Sequence, residues 1–540
     1  MIPNDHHAPN TNQEFDYIII GAGSAGAVIA NRLTQNEKIR VLLIEAGGEM
    51  KSPWLHIPLG IGKIINDERY IWPLLTEPEL NGRSLHWHHG KVLGGSSSIN
   101  AMLFVRGEPK RYDQWSKMGS PGWDFQSVLP YFKRLETAAF GDGELRGHDG
   151  PIRLTRLDPE DRISKAFIES CIQNQIPFNS DYNGEQIAGV SQLQIAASNG
   201  IRCGTYRGYL KPIRKRENLE IRTHAVAHRI ILEGNAAKGI QYWHQGRLCE
   251  ARSAREIIVS SGTLNSPKLL ELSGIGDGEL LKKAGIDVHH HLPGVGRNLR
   301  DHLHCRASYE TTCHTTANDL LNNPFFAARE FLKYAFTRRG LFATPSFRAH
   351  AFVRSIVSSF PDTRIQCALS SSQSRYVKSG VDPFSGFHIG SYFLFPKSHG
   401  SIHVRSPRPE DAPVIRANYL DHPDDVQATL WGVRHARDLS RVSPLSDLVV
   451  REVRPGLTTN SDEELLDFIK SSAETSWHPI GSCSMGDDKN SVVDSFLRVH
   501  GIKGLRIADA SVMPIHTTSN TNAPSIMIGE RAADLIQGDV

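Results

Sequence analysis

The chain has 540 residues, 39% of them apolar and 22% charged, and its 61 basic and 58 acidic residues leave a formal charge of +3. This length exceeds one simple core and calls for two or more domains, while near-balanced charge without long like-charge runs excludes the electrostatic footprint of a nucleic-acid binder. Seven scattered cysteines without CxxC spacing exclude a disulfide framework and a cysteine zinc site, and favour a reducing compartment.

The opening stretch MIPNDHHAPNTNQEFDY has neither a basic n-region nor an apolar h-region, so no secretory signal is read there. The longest apolar runs, Tyr17–Ile20 and Val41–Ile44, are strand-length, far short of the roughly 20 residues that span a bilayer. No transmembrane segment is expected. A cytoplasmic location follows, with peripheral membrane association as the alternative.

Asp16–Ile20 is short and nearly all apolar, the pattern of a parallel strand buried on both faces. The turn Gly21-Ala22-Gly23-Ser24-Ala25-Gly26 follows, then a helix over Ala25–Leu33 and a second buried strand, Arg40–Glu45. This βαβ unit places G-x-G-x-x-G after a strand and at the opening of a helix, as a dinucleotide fingerprint requires. Gly21 allows the tight turn, Gly23 lets backbone approach a pyrophosphate, and Gly26 permits close helix–strand packing. The helix N-terminus favours the anion. Glu45, with Ala46 behind it, ends the second strand where a carboxylate can hold ribose hydroxyls, which disfavours a 2′-phosphate. NAD and FAD remain equal on this motif alone.

A second glycine/serine loop runs from His89 through Gly94-Gly95-Ser96-Ser97-Ser98-Ile99-Asn100 to Ala101, offering backbone amides and hydroxyls to an anion or a ring edge. Further strands are read at Glu256–Ser260 and Gly504–Ala508. The first of these leads into Ser261-Gly262-Thr263-Leu264-Asn265-Ser266-Pro267. Near the C-terminus stand Thr475-Ser476-Trp477-His478-Pro479, then Ala508-Asp509-Ala510, then Ser519-Asn520-Thr521-Asn522-Ala523-Pro524. A histidine suits removal of a hydroxyl proton because its pKa lies near working pH. The clusters His86/His88/His89 and His289/His290/His291 lack the i, i+4 spacing of zinc motifs, so no metal site is expected. Cys483 has no nucleophile signature around it and is read as filling space.

The second glycine/serine loop, the segment from Ser261 through Gly276, and Leu292-Pro293-Gly294-Val295-Gly296-Arg297-Asn298-Leu299-Arg300-Asp301-His302, in this order and spacing, resemble the glucose–methanol–choline (GMC) oxidoreductase family, and the resemblance covers essentially the whole chain. The resemblance implies FAD, with Gly21, Gly23, Ser24, Gly26, Glu45 and Ala46 at its ADP half and Ala227 against the adenine. It further implies Gly94, Ser98, Asn100 and Ala101 beside the flavin ring, and Asp509 and Ala510 along the ribityl–pyrophosphate stretch. His478 and Asn522 match the family's catalytic pair. Some members tether the flavin to a histidine where this chain has Ile99, so non-covalent FAD is expected.

The fold implied is α/β with α+β character: a Rossmann-type FAD domain interleaved with a substrate domain built on an antiparallel sheet with helices. Residues 13–155, 215–310 and 466–540 are assigned to the FAD domain, the last carrying the catalytic residues. Residues 156–214 and 311–465 are assigned to the substrate domain. The segments Thr76-Glu77-Pro78, Ser519-Asn520-Thr521-Asn522, Ile526-Met527-Ile528 and Glu530-Arg531-Ala532-Ala533-Asp534 are similar to those of bacterial L-sorbose dehydrogenases and related alcohol dehydrogenases. The expected reaction is oxidation of a primary alcohol or sugar-like polyol, a small-molecule substrate, with electrons passed to a quinone-like acceptor. The alternatives are an oxygen-using alcohol oxidase of the choline or aryl-alcohol type and, more remotely, a hydroxynitrile lyase. Phe325, Phe326, Tyr376, Phe384 and Phe393 are candidate pocket aromatics, with core packing as the default for most of them. Glu530 and Arg531 are read as structural, and the oligomeric state is left open.

Overall fold

The computed structural model describes residues 14–158, 160–374 and 380–538; Tyr376 lies outside them. The fold is mixed α/β and carries two large sheets. In the first, Leu219–Arg222, Val41–Ile44, Glu14–Ile20 and Arg247–Val259 run parallel in that order. Leu505–Ile507 adds to the C-terminal end of the long strand, and its N-terminal half continues into an antiparallel meander through Ala236–His244 and Ala225–Glu233. The apolar runs are explained by this position: Ile18, Ile19, Leu42 and Ile257 are fully buried, with cover on both faces.

The glycine turn connects this sheet to the helix Gly26–Leu33. Gly21 takes a left-handed φ of +101°, and a Cβ on Gly26 would stand 2.0 Å from the Gly21 carbonyl oxygen. The second glycine loop lies directly on the first: the Gly94 amide donates to the Ala22 carbonyl at 2.8 Å. A Cβ on Gly95 would come within 2.7 Å of the Gly23 Cα, so backbone meets backbone here.

The last helix, Asn522–Gly538, packs on Gly26–Leu33 through Gly529, where a Cβ would meet the Ala25 carbonyl oxygen at 2.8 Å. Behind that contact Glu530 is fully buried and takes two hydrogen bonds from Arg32 at 2.9 and 2.7 Å and one from Tyr209 Oη at 2.6 Å. Arg134 Nε also lies 2.8 Å from the Glu530 carboxylate, so two arginines compensate the buried charge and the cluster fixes the last helix against the first. The structural reading of Glu530 agrees with this arrangement. Residues 520–522 are thereby held at the mouth of the glycine turn.

The second sheet is antiparallel, in the order Val449–Arg454, Leu303–Thr311, Gly386–Phe393, Thr363–Ala368, Phe347–Val353, Gly189–Gln192. Its side chains alternate between two chemistries. Ala307, Tyr309, Ile365, Cys367, Phe387 and Ile389 form one face and pack with Ala436 and Leu439 of the helix Pro423–Leu439. The opposite face carries His304, Arg306, His350, Arg364, Gln366, His388 and Tyr392, and it too is buried. A sheet buried on both sides with one polar face needs a reason, and that face roofs a cavity above the glycine loops. No helix among the described residues is long and apolar enough to cross a membrane.

Candidate active site

A cavity of about 1240 Å³ runs from the ends of the parallel strands to the polar face of the second sheet. Its first half is made by the βαβ unit. Gly23 presents open backbone there, with nothing closer than 3.9 Å to an added Cβ. Glu45 stands at the strand end, its Oε2 accepting from the Ala22 amide at 2.9 Å and its Oε1 from the Gly47 amide at 2.8 Å. Burial pushes its pKa up to about 7, and those two amides oppose the rise. Gly21, Ser24, Ala46, Ala227, Asn100, Ala101 and Ala510 all border the cavity.

Asp509 borders it as well, although its carboxylate is already engaged. Oδ2 accepts from the Gly262 amide at 2.9 Å and from Ser266 Oγ at 2.6 Å, and Oδ1 accepts from the Ser511 amide at 2.8 Å. It joins the segment after the long strand to the segment after Leu505–Ile507. Three expected cofactor contacts do not face the cavity. Gly26 is a spacer in the turn, Gly94 braces Ala22, and Ser98 is buried with its Oγ donating to the Leu93 carbonyl at 2.8 Å. Gly95 and Ser96, the first two residues of the 3-10 turn Gly95–Ser98, take the lining positions beside them. Sequence reading missed Arg202, which is buried and donates to Ser97 O at 3.2 Å and Asn100 Oδ1 at 2.9 Å, fixing this loop from below.

His478 lies at the far end, on a turn between the short strand Glu474–Thr475 and Ile480. Trp477, one residue earlier, holds a left-handed φ of +57°, a strained conformation for a bulky side chain. The buried carboxylate of Asp301 over-determines that turn. It accepts from the His478 amide at 2.8 Å, from Thr475 Oγ1 at 2.6 Å, and from Tyr419 Oη. Burial raises the Asp301 pKa to about 6 against those bonds.

The ring of His478 sits in a chain of hydrogen bonds whose directions can be derived. His302 is fully buried, which drives its pKa down to about 3 and keeps it neutral. Its Nε2 lies 2.9 Å from the Leu394 carbonyl, an acceptor only, so Nε2 carries the proton and Nδ1 is bare. His478 Nδ1, 3.1 Å from that bare nitrogen, must then donate to it, and His478 Nε2 is left with a lone pair. Asn520 Nδ2 donates to Nε2 at 2.9 Å. The amide orientation of Asn520 is fixed in turn, because its Oδ1 faces Arg364 Nη1 at 2.5 Å and a guanidinium only donates. His516, also buried and neutral, lies against His302 with ring centroids 3.9 Å apart and planes tilted by 34°, and donates to the His478 carbonyl at 2.9 Å.

The expected pairing of His478 with Asn522 is therefore corrected. Asn522 is the first residue of the last helix, and its Oδ1 accepts from Ser24 Oγ at 2.8 Å, at the start of the glycine-turn helix. Two residues earlier, before the helix begins, the chain points its side chain to the opposite end of the cavity. Asn520 takes the place beside His478. Of the candidate aromatics among the described residues, none borders the cavity, in keeping with the packing default: Phe325 is 88% exposed, Phe326 packs with Tyr334 and Phe342, Phe393 packs in a separate core cluster, and Arg451 lies over Phe384. Trp72, Phe342, Phe347, Tyr392 and Trp477 line the cavity instead.

Fold and site together define a dinucleotide-dependent oxidoreductase with a histidine presented to its substrate cavity. A family model for GMC oxidoreductases matches residues 15–304, and a second for the same family matches residues 396–529. The chain belongs to the GMC oxidoreductase family, and its cofactor is FAD. It is 39% identical over 532 residues to an oxygen-dependent choline dehydrogenase of Brucella anthropi, covering 97% of this chain and 96% of that one. Its identity to the protein of the same name in Vibrio vulnificus is 39% over 535 residues, with 97% and 94% covered. Among solved structures it is similar to pyridoxine 4-oxidase from Mesorbium loti, with a TM-score of 0.87, 29% identity, and 96% and 98% of the two chains covered. The residues present fit the cofactor: open glycine backbone for a pyrophosphate, and a carboxylate where the ribose hydroxyls of its ADP half would come.

Replacing Glu45 with alanine removes the acceptor for those hydroxyls and frees two turn amides. The affinity for FAD is expected to fall about tenfold or more, checked by titrating apoprotein with FAD and following flavin fluorescence.

Proposed function

We propose that the protein oxidises the hydroxyl carbon of an uncharged primary alcohol, with His478 as the proton acceptor and Asn520 as its partner. One observation carries this reading: the His302–His478 bond directs a bare Nε2 into the cavity, beside the donor amide of Asn520. A hydroxyl placed between them gives its proton to Nε2 and receives a hydrogen bond from Nδ2 on its oxygen. Bound FAD supplies the two-electron oxidant for the carbon that bears this hydroxyl. His302 stays neutral throughout, so it accepts the Nδ1 proton of His478 in both protonation states of that ring. Asp301 and Trp477 hold the backbone of the turn, which keeps the ring in place while its charge changes. Asn522 belongs to the cofactor end in this reading, and residues 13–155, 215–310 and 466–540 together form the FAD domain.

The nature of the substrate follows from charge. Only two carboxylates border the cavity among the described residues, Glu45 and Asp509, and both are engaged at the cofactor end. The wall around His478 carries Arg306, His304, His388 and Tyr392, and Arg306 is paired with Glu474 at 2.9 Å. Residues 375–379 are Arg-Tyr-Val-Lys-Ser, which adds no acid by sequence. A quaternary ammonium would enter this end without a counter-charge, at a desolvation cost that a neutral group of the same shape avoids. Sugar-like polyols fall within the uncharged class. Oxygen is proposed as the electron acceptor in place of the quinone-like acceptor expected from sequence; the names of both relatives support it.

His478→Ala is expected to slow anaerobic flavin reduction by about 10²–10⁴-fold with FAD retained, measured by stopped-flow absorbance. Asn520→Ala should slow the same step, whereas Asn522→Ala should act mainly on FAD affinity; the reverse pattern would return the role to Asn522. A further outcome concerns charge alone. The carbon isostere of choline, 3,3-dimethylbutan-1-ol, is expected to show kcat/KM about tenfold or more above choline, and a preference for choline would contradict the uncharged assignment.

A further inference from the structure

Arg364 is fully buried on the polar face of the second sheet and has no carboxylate partner among the described residues. Its Nη1 makes all of its hydrogen bonds, to Asn520 Oδ1 at 2.5 Å, Tyr392 Oη at 3.0 Å and Ser519 Oγ at 3.2 Å. Nε and Nη2 are buried with no hydrogen-bond partner, and the rings of Phe352 and Tyr392 lie 5.6 and 6.0 Å from the guanidinium carbon. Several other buried arginines are compensated: Arg106 and Arg146 share Glu136, and Arg506 pairs with Glu256, whereas Arg202, beneath the second glycine loop, has neutral acceptors as Arg364 does. An unpaired buried cation is a poor way to stabilise a fold, because desolvation outweighs a few neutral hydrogen bonds.

We propose that Arg364 is a positioning residue for the reaction, acting through Asn520. Resting on the reading of His478 and Asn520 given above, its role has two parts. Because the guanidinium can only donate, it rules out the flipped carboxamide that would aim Oδ1 at His478 Nε2, two lone pairs face to face. Because it is charged, it draws electron density toward Oδ1 and makes the Nδ2 protons stronger donors to a substrate oxygen that is losing its own proton. Tyr392 and Ser519, held by the same nitrogen, fix where that nitrogen can sit. The strand pairing places the device. Arg364 is registered against Phe352 on one side and Tyr392 on the other, inside the sheet, where its position does not depend on a loop.

The test is a double-mutant cycle on FAD-loaded enzyme, with the rate of anaerobic flavin reduction at saturating alcohol expressed per bound flavin. Arg364→Met alone is expected to slow reduction about 10–100-fold, the scale of one charge-assisted hydrogen bond in a transition state. In an Asn520→Ala background the same change should cost less than about threefold, because the residue it acts through is gone. Arg364→Lys, which keeps the charge and a donor, should recover part of the rate, and it supplies the cycle if the methionine variant does not load FAD. Melting temperature is the second readout: the methionine variant should melt within a few degrees of wild type, or above it. Multiplying effects in the double mutant would overturn the proposal. So would a normal rate per flavin combined with a large fall in melting temperature, which would make Arg364 structural. A normal rate in Asn520→Ala alone would instead remove the parent reading of the His478–Asn520 pair, so the two failures are distinguishable.

Discussion

The proposed catalytic end of this molecule depends on one chain of hydrogen bonds, from the Leu394 carbonyl through His302, His478 and Asn520 to Arg364. Its two ends are rigid in different ways. The carbonyl can only accept and the guanidinium can only donate, so every proton between them has one place to be. A histidine with two free tautomers presents its lone pair to substrate only part of the time. Here the orientation is set before substrate arrives, which is the preorganisation that general-base chemistry requires.

The chain also ties the two sheets to each other. His302 precedes the strand Leu303–Thr311, and Arg364 lies inside Thr363–Ala368, both in the antiparallel sheet. His478 and Asn520 come from the C-terminal segment that adds Leu505–Ile507 to the parallel sheet. The Glu530 cluster holds the last helix on the glycine-turn helix, and so it sets where residues 520–522 begin. A buried carboxylate far from the chemistry thus bears on the distance between base and cofactor. The polar face of the second sheet is expensive to bury, and His304, Arg306, Gln366, His388 and Tyr392 on it border the cavity.

Much of the cofactor half was legible in the sequence because backbone geometry dictates it. A turn that must take a left-handed φ at Gly21 and tolerate no Cβ at Gly26 leaves glycine as the only choice, and a strand covered on both faces reads as an apolar run. The catalytic half was legible only in part. His478 carries a motif, but Asn520 and Asn522 differ by two positions in one polar run, and which of them faces the cavity depends on where the helix starts. Ser98 was assigned to the cofactor for a similar reason, since a 3-10 turn inside a serine run gives no sequence sign of which hydroxyls face in. The alternation His304-x-Arg306, Arg364-x-Gln366, His388-x-x-x-Tyr392 was present as a period-two signal. It was not interpretable alone, because polar residues at that spacing usually mark a solvent-facing side, and only the packing shows that this side is buried.

The most direct measurement of the central claim is the protonation of the His478 ring itself. Nitrogen-15 NMR of histidine-labelled enzyme, assigned by comparison with His478→Gln, reports which ring nitrogen carries the proton near neutral pH. The account predicts a neutral ring protonated at Nδ1, with Nε2 showing the shift of a bare, pyridine-like nitrogen. A ring protonated at Nε2 with bare Nδ1 would contradict it, since the lone pair would then face His302 instead of the substrate.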